Sequence, residues 1–519
     1  MTTAGLRTLR LGSADYPVVL PNVGDPRLHL AAVIISIHVL GQTSLGFRVS
    51  VPQILVAILT CALIEVGWTF VKSKEIVWPA SAMLTGSGVA LILRIVGQDR
   101  GDHWTWSGWY FFAGIAAFSL LSKYLIRFRG SHVFNPSNLG LVVAFLVIGS
   151  EVIEPLDFWW SPLDPGMAAA YLIILVGGLL ITRRLRLLAL AAGFWLTLAA
   201  GIGVLAASGH CMTTAWALQP VCGSTFWWTI ITSPEVLIFL FFMITDPKTI
   251  PAGKSARIVF GITLALACTL LMAPQTTEFG AKVALLGGLV VLTPLRYLFD
   301  RLLPGREPAR SPVSLLTETL PSGGRRRVFL RGAMVGSALV ALAALIVAAG
   351  APARVAASPA AGSSSVDVDI DPSTLPEVTV SPDALALSSE VDPDELALML
   401  AEDLAVEGEA MLSSDTSLLR AVDDGPRLIE MERKVEVAAT LGNLVVDEHS
   451  FDSLHLDVVF TDGPQGGASL ALVARGTVDQ VGYDPNGEEQ ERLTTELDTT
   501  FVMRQGASGR WVIVGEESR

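Results

Sequence analysis

The sequence predicts an all-α polytopic membrane domain of ten helices, followed by an eleventh helix and an acidic α+β domain. Of its 519 residues, 51% are hydrophobic and only 16% are charged, against about a quarter in a typical soluble protein. Long apolar runs recur as far as residue 350. Residues 354–519 hold 33 acidic and 10 basic residues, a net charge of −23, and the rest of the chain carries +10, giving the total of −13.

Apolar segments predict the individual membrane spans, because a bilayer core needs about 20 apolar residues per helix. Ten such segments precede residue 300, and an eleventh follows a polar gap. The predicted spans are 28–46, 51–70, 77–97, 108–125, 136–150, 167–182, 187–208, 225–245, 257–273, 280–299 and 329–350. The fifth and sixth are short, and short helices often line a site near the membrane midplane.

The distribution of Lys and Arg predicts the orientation. Cytoplasmic loops carry an excess of these residues, and here the N-terminus and every second loop are basic, whereas the alternate loops are poor in bases and rich in Trp. We therefore expect a plasma-membrane protein with a cytoplasmic N-terminus and an extracytoplasmic C-terminal domain. The predicted divisions are a tail (1–27), a membrane domain (28–300), a connector (301–328), an eleventh span (329–350), a linker (351–390) and the acidic domain (391–519).

Four cysteines are present, and two of them, Cys211 and Cys222, bracket a predicted outer loop. A disulfide persists outside the cytoplasm, so we expect these two to be bridged, with two separate loop thiols as the alternative. No Cys/His spacing indicates a metal site, and no cysteine run is typical of an iron–sulfur cluster.

The acidic domain combines helix and strand signals. A capping Asp precedes apolar residues at helical spacing from residue 392, and from about residue 430 alternating β-rich segments follow, separated by Gly-rich turns. This order resembles the NTF2-like/cystatin-like α+β modules, and it predicts an extracytoplasmic domain with a role in assembly or ligand binding.

Two polar, proline-broken stretches interrupt the apolar spans: Asn135-Pro136-Ser137-Asn138 and Thr245-Asp246-Pro247-Lys248-Thr249. Such groups are expensive in a bilayer unless they are buried in protein or face water. One interpretation is a pair of ordinary helix N-caps, with Asn135 and Asp246 as the capping residues. The other is that two helix N-termini at one face form a joint site for an anionic group, to which Lys248 adds charge.

A third stretch, SAMLTGSG, places small and hydroxylated residues in the predicted cytoplasmic half of the third span. Residues of this kind allow close approach of a helix or a flat ring. Together the three stretches predict a cofactor site. Its candidate residues are Ser81, Thr85, Gly86, Asn135, Ser137, Thr245, Asp246, Lys248 and Thr249.

Two ionisable residues on consecutive spans, His38 and Glu65, are candidates for an ion pathway because charged groups inside a membrane are functional by default. The alternative is a buried pair that stabilises helix packing. Arg94 and Glu235 also lie in or near spans, where snorkelling towards the interface explains them.

The stretches SAMLTG, FNPSNLGL and MITDPKT, in this order within ten spans, resemble the NqrB/RnfD family, and more narrowly the UnbU-type membrane proteins of actinobacterial enediyne biosynthesis clusters. The resemblance covers about residues 27–300. It implies two inverted five-helix repeats, flavin binding and electron transfer. The Ser/Thr-Gly-Ala-Thr element that attaches FMN covalently in the family is absent, so the expected cofactor is FMN or riboflavin bound noncovalently.

The predicted function is therefore an electron-transfer subunit of a membrane oxidoreductase complex, with lipid, further redox subunits or an extracellular protein as partners. A permease or exporter of a small anionic or amphipathic molecule, and a scaffold protein, are the alternatives. No P-loop, dinucleotide fingerprint or nucleophile–base set indicates a soluble enzyme, and nothing indicates a nucleic-acid partner.

Overall fold

The computed structural model divides the chain into two compact units: unit 1, Met1–Met212 with Cys222–Ala353, and unit 2, Thr213–Val221 with Arg354–Arg519. Most of the predicted connector (301–328) and linker (351–390) lie outside the described residues. The structure describes residues 7–11, 14–22, 24–98, 101–150, 152–156, 165–214, 221–303, 325–351, 353, 368, 370–381, 384, 391–441, 444–461, 467–484, 489–505 and 510–518.

Unit 1 consists mainly of apolar helices. They are α1 (Pro26–Thr43), α2 (Val51–Ser73), α3 (Ala80–Ile92), α4 (Trp109–Leu125), α5 (Pro136–Ile148), α6 (Pro165–Arg184), α7 (Leu188–Ala207), α8 (Gly223–Thr232), α9 (Pro234–Ile238, continued by a π-helical turn Phe239–Met243), α10 (Lys254–Met272), α11 (Glu278–Leu292), α12 (Arg296–Leu302) and α13 (Arg325–Ala349).

Local capping signals fix where several of these helices begin. Asp25 caps α1 with proline at the next position, and its side chain accepts a hydrogen bond from the Arg27 backbone N–H. Ser50 and Gln53 form a capping box at α2. Such caps satisfy backbone N–H groups that have no partner inside the helix.

Among the described residues, six helical segments are long and apolar enough to cross a membrane, as expected for an integral membrane protein. They are Val51–Ser73, Pro165–Arg184, Leu188–Ala207, Gly223–Met243, Lys254–Met272 and Glu278–Leu302. Shorter apolar helices occupy Ala80–Ile92, Pro136–Ile148 and Gly336–Ala349. The expectation that the fifth span is short is confirmed, because α5 has 13 residues. The sixth span is not short, because α6 has 20 residues, and the third span contains the second short helix, α3, with 13 residues.

The predicted third span, 77–97, is also wrong as a single helix. After α3 the chain becomes a short strand, β4 (Leu93–Ile95), and after α5 it forms β7 (Ile153–Pro155), which pairs with β4 in an antiparallel ladder. The pairing satisfies backbone groups where the two helices stop. The other described strands of this part of the chain are β1 (Arg7–Leu11), β2 (Ala14–Val19), β3 (Ile76–Val77), β5 (Arg127–Phe128), β6 (Ser131–His132), β8 (Cys211–Met212) and β9 (Val221–Cys222), and the last two each contain one disulfide cysteine.

The helices of unit 1 pack in two sets. In the first five, α2 packs against α3 and α4, α4 against α5, and α1 against α3. In the next set, α7 packs against α8 and α10, α10 against α11, and α6 against α9. Between the sets, α1 packs against α6 and α5 against α11.

The described residues of unit 2 include two long helices and a five-stranded sheet. The elements are α14 (Pro393–Ser413), α15 (Gly425–Leu441), β10 (Val378–Val380), β11 (Leu444–Thr461), β12 (Gly467–Tyr483), β13 (Glu489–Gln505) and β14 (Trp511–Ser518). The sheet order is β10-β11-β12-β13-β14, with β10 parallel to β11 and the other pairs antiparallel. Strands were expected from about residue 430, but the helix continues to Leu441.

The core of unit 2 forms where apolar residues of α14 pack on the sheet. Leu396, Leu400 and Leu404 recur at helical spacing and lie in one buried cluster with Phe501 and Ile513. This amphipathic pattern explains why α14 docks on the sheet by one face.

A buried charge network lies beside that core. Arg427 donates to both carboxylate oxygens of Glu407 at 2.7 Å and lies 2.7 Å from Glu516. Burial and the adjacent Glu407 carboxylate raise the pKa of Asp423 to about 10. The folded unit therefore favours the protonated form of Asp423.

We expect the stability of unit 2 to fall as pH rises. The pKa of Asp423 is higher in the folded state than its ordinary value of 3.8, so folding favours the protonated form, and the stability that this group contributes falls as pH rises above that ordinary value. The variant D423N has a neutral side chain at every pH, so the stability of unit 2 should fall less steeply with rising pH in D423N than in the wild type. Hydrogen exchange of the β12–β14 amides in the full-length protein, corrected for intrinsic pH effects, measures it.

The exposed Asp452 supplies the control, because D452N also removes one carboxylate but leaves the buried network intact. An unchanged pH profile in D423N would contradict the assignment of the buried proton.

Candidate binding site

The two polar stretches, separated by over one hundred residues in the sequence, lie against each other in unit 1. The Asn135 side chain caps α5, accepting from the Asn138 N–H at 3.4 Å, and its Nδ2 donates to the Met243 carbonyl at 3.3 Å. One turn away, His132 Nε2 lies 3.2 Å from Asp246 Oδ2. These contacts fix the start of α5 against the turn that follows α9.

A cavity of about 550 Å³ opens beside this contact. Its size is within the range of about 300–1,000 Å³ that small-molecule sites occupy. Seven of the nine predicted cofactor-site residues line it. They are Ser81, Thr85, Asn135, Ser137, Thr245, Asp246 and Lys248.

Three basic and two acidic side chains line the cavity. Lys123 Nζ lies 3.1 Å from the Ser81 hydroxyl and 3.3 Å from a Glu65 carboxylate oxygen. Arg27 pairs with Asp25 at 2.6 Å. Lys248 stands at the exposed margin, and within the described chain its ammonium has no ion-pair partner. Of these three cations, Lys248 is therefore the one that an entering anionic group meets without a competing carboxylate.

The rest of the lining is apolar and partly aromatic. Phe241 and Phe242, from the π-helical turn after α9, stand on one side. Aliphatic side chains from α1 and α3 contribute Leu30, Ile34 and Leu84. The cavity thus offers both a flat apolar surface and a charged rim.

One prediction about this site is wrong. Asp246 does not cap a helix: it lies in a turn where its Oδ1 accepts from the Lys248 N–H at 3.0 Å, and α10 begins only at Lys254. Of the two helix N-termini predicted from these stretches, the one at Asn135 is present and the one at Asp246 is not. An Asp before a proline suits both an N-cap and this kind of turn, so the local sequence does not distinguish them.

Two predicted residues lie outside the lining. The Thr249 hydroxyl is buried and donates to the Asp246 carbonyl at 3.2 Å, so it holds the turn. Gly86 faces α2, and a Cβ at this position would overlap the carbonyl of Ala57. Its role is to let α2 and α3 approach closely.

The predicted ion-pathway residues have different partners. The buried His38 lies 3.1 Å from the Ser87 hydroxyl, whereas Glu65 pairs with Lys123 below the cavity. The structure therefore connects Glu65 to the candidate site and His38 to the packing of α1 on α3.

The snorkelling interpretation of Arg94 and Glu235 is also wrong. Arg94 is buried and pairs with Glu154 across β4 and β7. Glu235 faces inwards to Lys282 of α11.

The charged and aromatic residues of the lining that were not predicted include Arg27, Lys123, His132 and Phe241. The first two were counted only as orienting charges. In the sequence, each of these two residues is a cation next to an apolar span. Most loop cations share this position, so it does not identify a site residue. His132 and Phe241 become identifiable only once the fold brings residues 132 and 246 together.

Outside the cavity, Cys211 and Cys222 form a disulfide with an S–S distance of 2.01 Å. No protein-family model and no curated protein matches the chain. What the site can bind is therefore inferred from its geometry. The cations and hydroxyls of the cavity can hold an anionic group, and its apolar walls can contact a ring.

We expect Gly86 to act through helix packing. In G86A the new methyl group meets backbone, so the overpacked α2–α3 contact should cost about 1–3 kcal/mol and lower the melting temperature of the detergent-solubilised protein. G67A is the matched control, because a Cβ on Gly67 of α2 meets nothing within 4 Å. Wild-type melting of G86A would contradict this role.

Proposed function

We propose that unit 1 is a membrane protein that binds FMN or riboflavin noncovalently and transfers electrons as a subunit of a larger complex. The observation that carries the proposal is the meeting of residues 135–138 and 245–248 at one cavity. Helix caps alone do not require two distant stretches to share a cavity.

The chemistry of the lining fits a flavin phosphate. Lys123 and Lys248 would neutralise its charge, and the Ser137 hydroxyl at the first turn of α5 would add a hydrogen bond. Ser137 at present donates to Asn135 Oδ1 at 3.1 Å, a contact it could exchange for a ligand oxygen.

The apolar walls fit the flavin ring. Phe241 and Phe242 provide aromatic surface, and aromatic groups favour offset or edge contacts with one another. When bound, a flavin supplies one- and two-electron redox chemistry, whereas the residues named here bind it, orient it and exclude water. The sequence contains no Ser/Thr-Gly-Ala-Thr element for covalent attachment.

The proposed architecture is a ten-helix body of NqrB/RnfD type, built from two inverted repeats, α1–α5 and α6–α11. The order in which helices pack supports it, because α2, α3, α4 and α5 find counterparts in α7, α8–α9, α10 and α11. With the basic ends inside, the cavity opens to the cytoplasm, and unit 2 is extracytoplasmic. Redox subunits or an extracellular protein are the proposed partners.

Transport is the second candidate function. Two short helices, α3 and α5, end inside unit 1, and broken helices frequently line transport sites. The same lining would suit a small anionic or amphipathic molecule that leaves the cavity rather than staying in it.

Lys248 should contribute to flavin affinity by charge. We expect K248Q to weaken FMN binding about tenfold, which corresponds to about 1.4 kcal/mol, because one cation at the margin is lost. Riboflavin, which lacks the phosphate, should be affected little. Quenching of flavin fluorescence on titration with the purified protein measures both.

K254Q is the control, since Lys254 is an equally exposed lysine outside the lining. Equal loss of FMN affinity in K248Q and K254Q would contradict a specific contact between Lys248 and the phosphate. A wild-type protein that binds no flavin would contradict the proposal as a whole.

Paired variants separate binding from capping. N135A and D246A should each lose flavin, or substrate uptake if transport is the function, because they break the contacts that join residues 132–135 to 243–246. Flavin content, uptake and efflux are measured in cells and vesicles with matched protein levels. If folding, flavin content and transport all survive both exchanges, the stretches are structural only.

A further inference from the structure

A buried arginine without an acidic partner lies where α12 begins, outside the lining of the cavity of about 550 Å³. Arg296 is only 6% exposed, and its Nε is buried without a hydrogen-bond partner. Its Nη2 donates to the neighbouring Tyr297 hydroxyl at 2.6 Å, and no carboxylate of the described chain forms an ion pair with it. Asp300, one turn further along α12, accepts instead from the Ala252 N–H at 2.7 Å. A buried charge without a counter-ion is costly, so an anion from outside the chain would stabilise this position.

A pair of aromatic rings connects Arg296 to a second arginine. The guanidinium of Arg296 lies 4.5 Å from the ring centre of Tyr297, and that ring meets Phe128 edge to face with 4.7 Å between the ring centres. The Tyr297 hydroxyl donates to the Phe128 carbonyl at 3.2 Å, which fixes the start of α12 against the β5–β6 hairpin. On this hairpin the exposed Arg129 places its guanidinium 5.4 Å from the Phe128 ring centre. Arg129 also has no ion-pair partner in the part of the chain that is described.

Exposed apolar side chains border these two arginines. Leu295, Leu298 and Leu302 are exposed at helical spacing along the end of the last long apolar segment before residue 303. Leu125 and Ile126, just before the hairpin, are exposed as well. Lipid tails are as apolar as leucine, so these side chains suit contact with acyl chains. The cations and the leucines together match the two parts of a phospholipid, a phosphate head group and its acyl chains.

We propose that the surface formed by Phe128, Arg129, Arg296 and Tyr297 binds one anionic phospholipid of the cytoplasmic leaflet. The lipid phosphate accepts hydrogen bonds from the two guanidinium groups, and the acyl chains lie on the exposed leucines. Arginine forms strong, often bidentate hydrogen bonds with phosphate, and basic sites between membrane helices on the cytoplasmic side bind anionic head groups. A zwitterionic lipid brings its own ammonium group, so two unpaired cations select a head group with a net negative charge.

This site is separate from the proposed flavin site. None of its four residues lines the cavity of about 550 Å³. The hairpin lies between the two sites, because His132 at its other end contacts Asp246 of the cavity lining. Loss of the lipid site and loss of flavin binding are therefore measured independently.

Native mass spectrometry of the full-length protein in detergent tests the proposal, with phosphatidylglycerol and phosphatidylcholine of identical acyl chains as probes. The wild type should bind one phosphatidylglycerol about tenfold more tightly than phosphatidylcholine. R296Q should lower the affinity for phosphatidylglycerol about tenfold. R129Q, which changes an exposed side chain, should lower it about threefold. The affinity for phosphatidylcholine should stay the same in both variants.

R183Q is the matched control. Arg183 is an exposed arginine at the end of an apolar helix, α6, next to the exposed Leu179 and Leu180, but it stacks on neither Phe128 nor Tyr297. R183Q should therefore bind phosphatidylglycerol like the wild type.

The proposal is overturned if the wild type does not prefer phosphatidylglycerol, if a folded R296Q or R129Q keeps wild-type affinity, or if R183Q loses as much affinity as they do. Displacement of the lipid by inorganic phosphate would show a site for a soluble anion and would also overturn it. If R296Q does not fold, R129Q decides the question.

Discussion

The structure of unit 1 depends on one constraint: polar groups in a membrane interior need partners within the protein. At the start of α5 the constraint is met by Asn135, which both caps its own helix and bonds the Met243 carbonyl. The His132–Asp246 contact, three residues away along each stretch, gives two further polar side chains a partner. Because each stretch satisfies the other, their side chains collect at a single cavity rather than at separate helix ends.

The same constraint explains why α3 and α5 can stop early. Their chains continue as β4 and β7, whose ladder satisfies backbone groups, and the buried Arg94–Glu154 pair is placed by it. Short helices in turn leave room at both ends: the cavity of about 550 Å³ before them and a small space lined by Glu235 and Lys282 beyond them. A buried ion pair is weak evidence for stability, so the positions of these charges are better understood through function.

The sequence predicted apolar helices and the C-terminal sheet, and seven of its nine candidate site residues line the cavity, because caps, periodicity and Asn-Pro or Asp-Pro signals are local. The sequence did not predict features that depend on contacts between residues far apart along the chain. The Asp246 turn looks like a helix cap until the start of α10 is known, and Arg94 looks like an interfacial residue until β7 brings Glu154 to it. The helix as far as Leu441 was missed because its Val and Ala residues also suit a strand.

Native mass spectrometry of the protein purified gently from flavin-replete cells tests the central claim most directly. The account predicts a noncovalent adduct with the mass of FMN or riboflavin, which is released on denaturation and is lost when Asn135 is exchanged for Ala while the protein stays folded. A folded protein that carries no small molecule, or an adduct indifferent to Asn135, would contradict the claim that the two stretches were brought together to hold a guest.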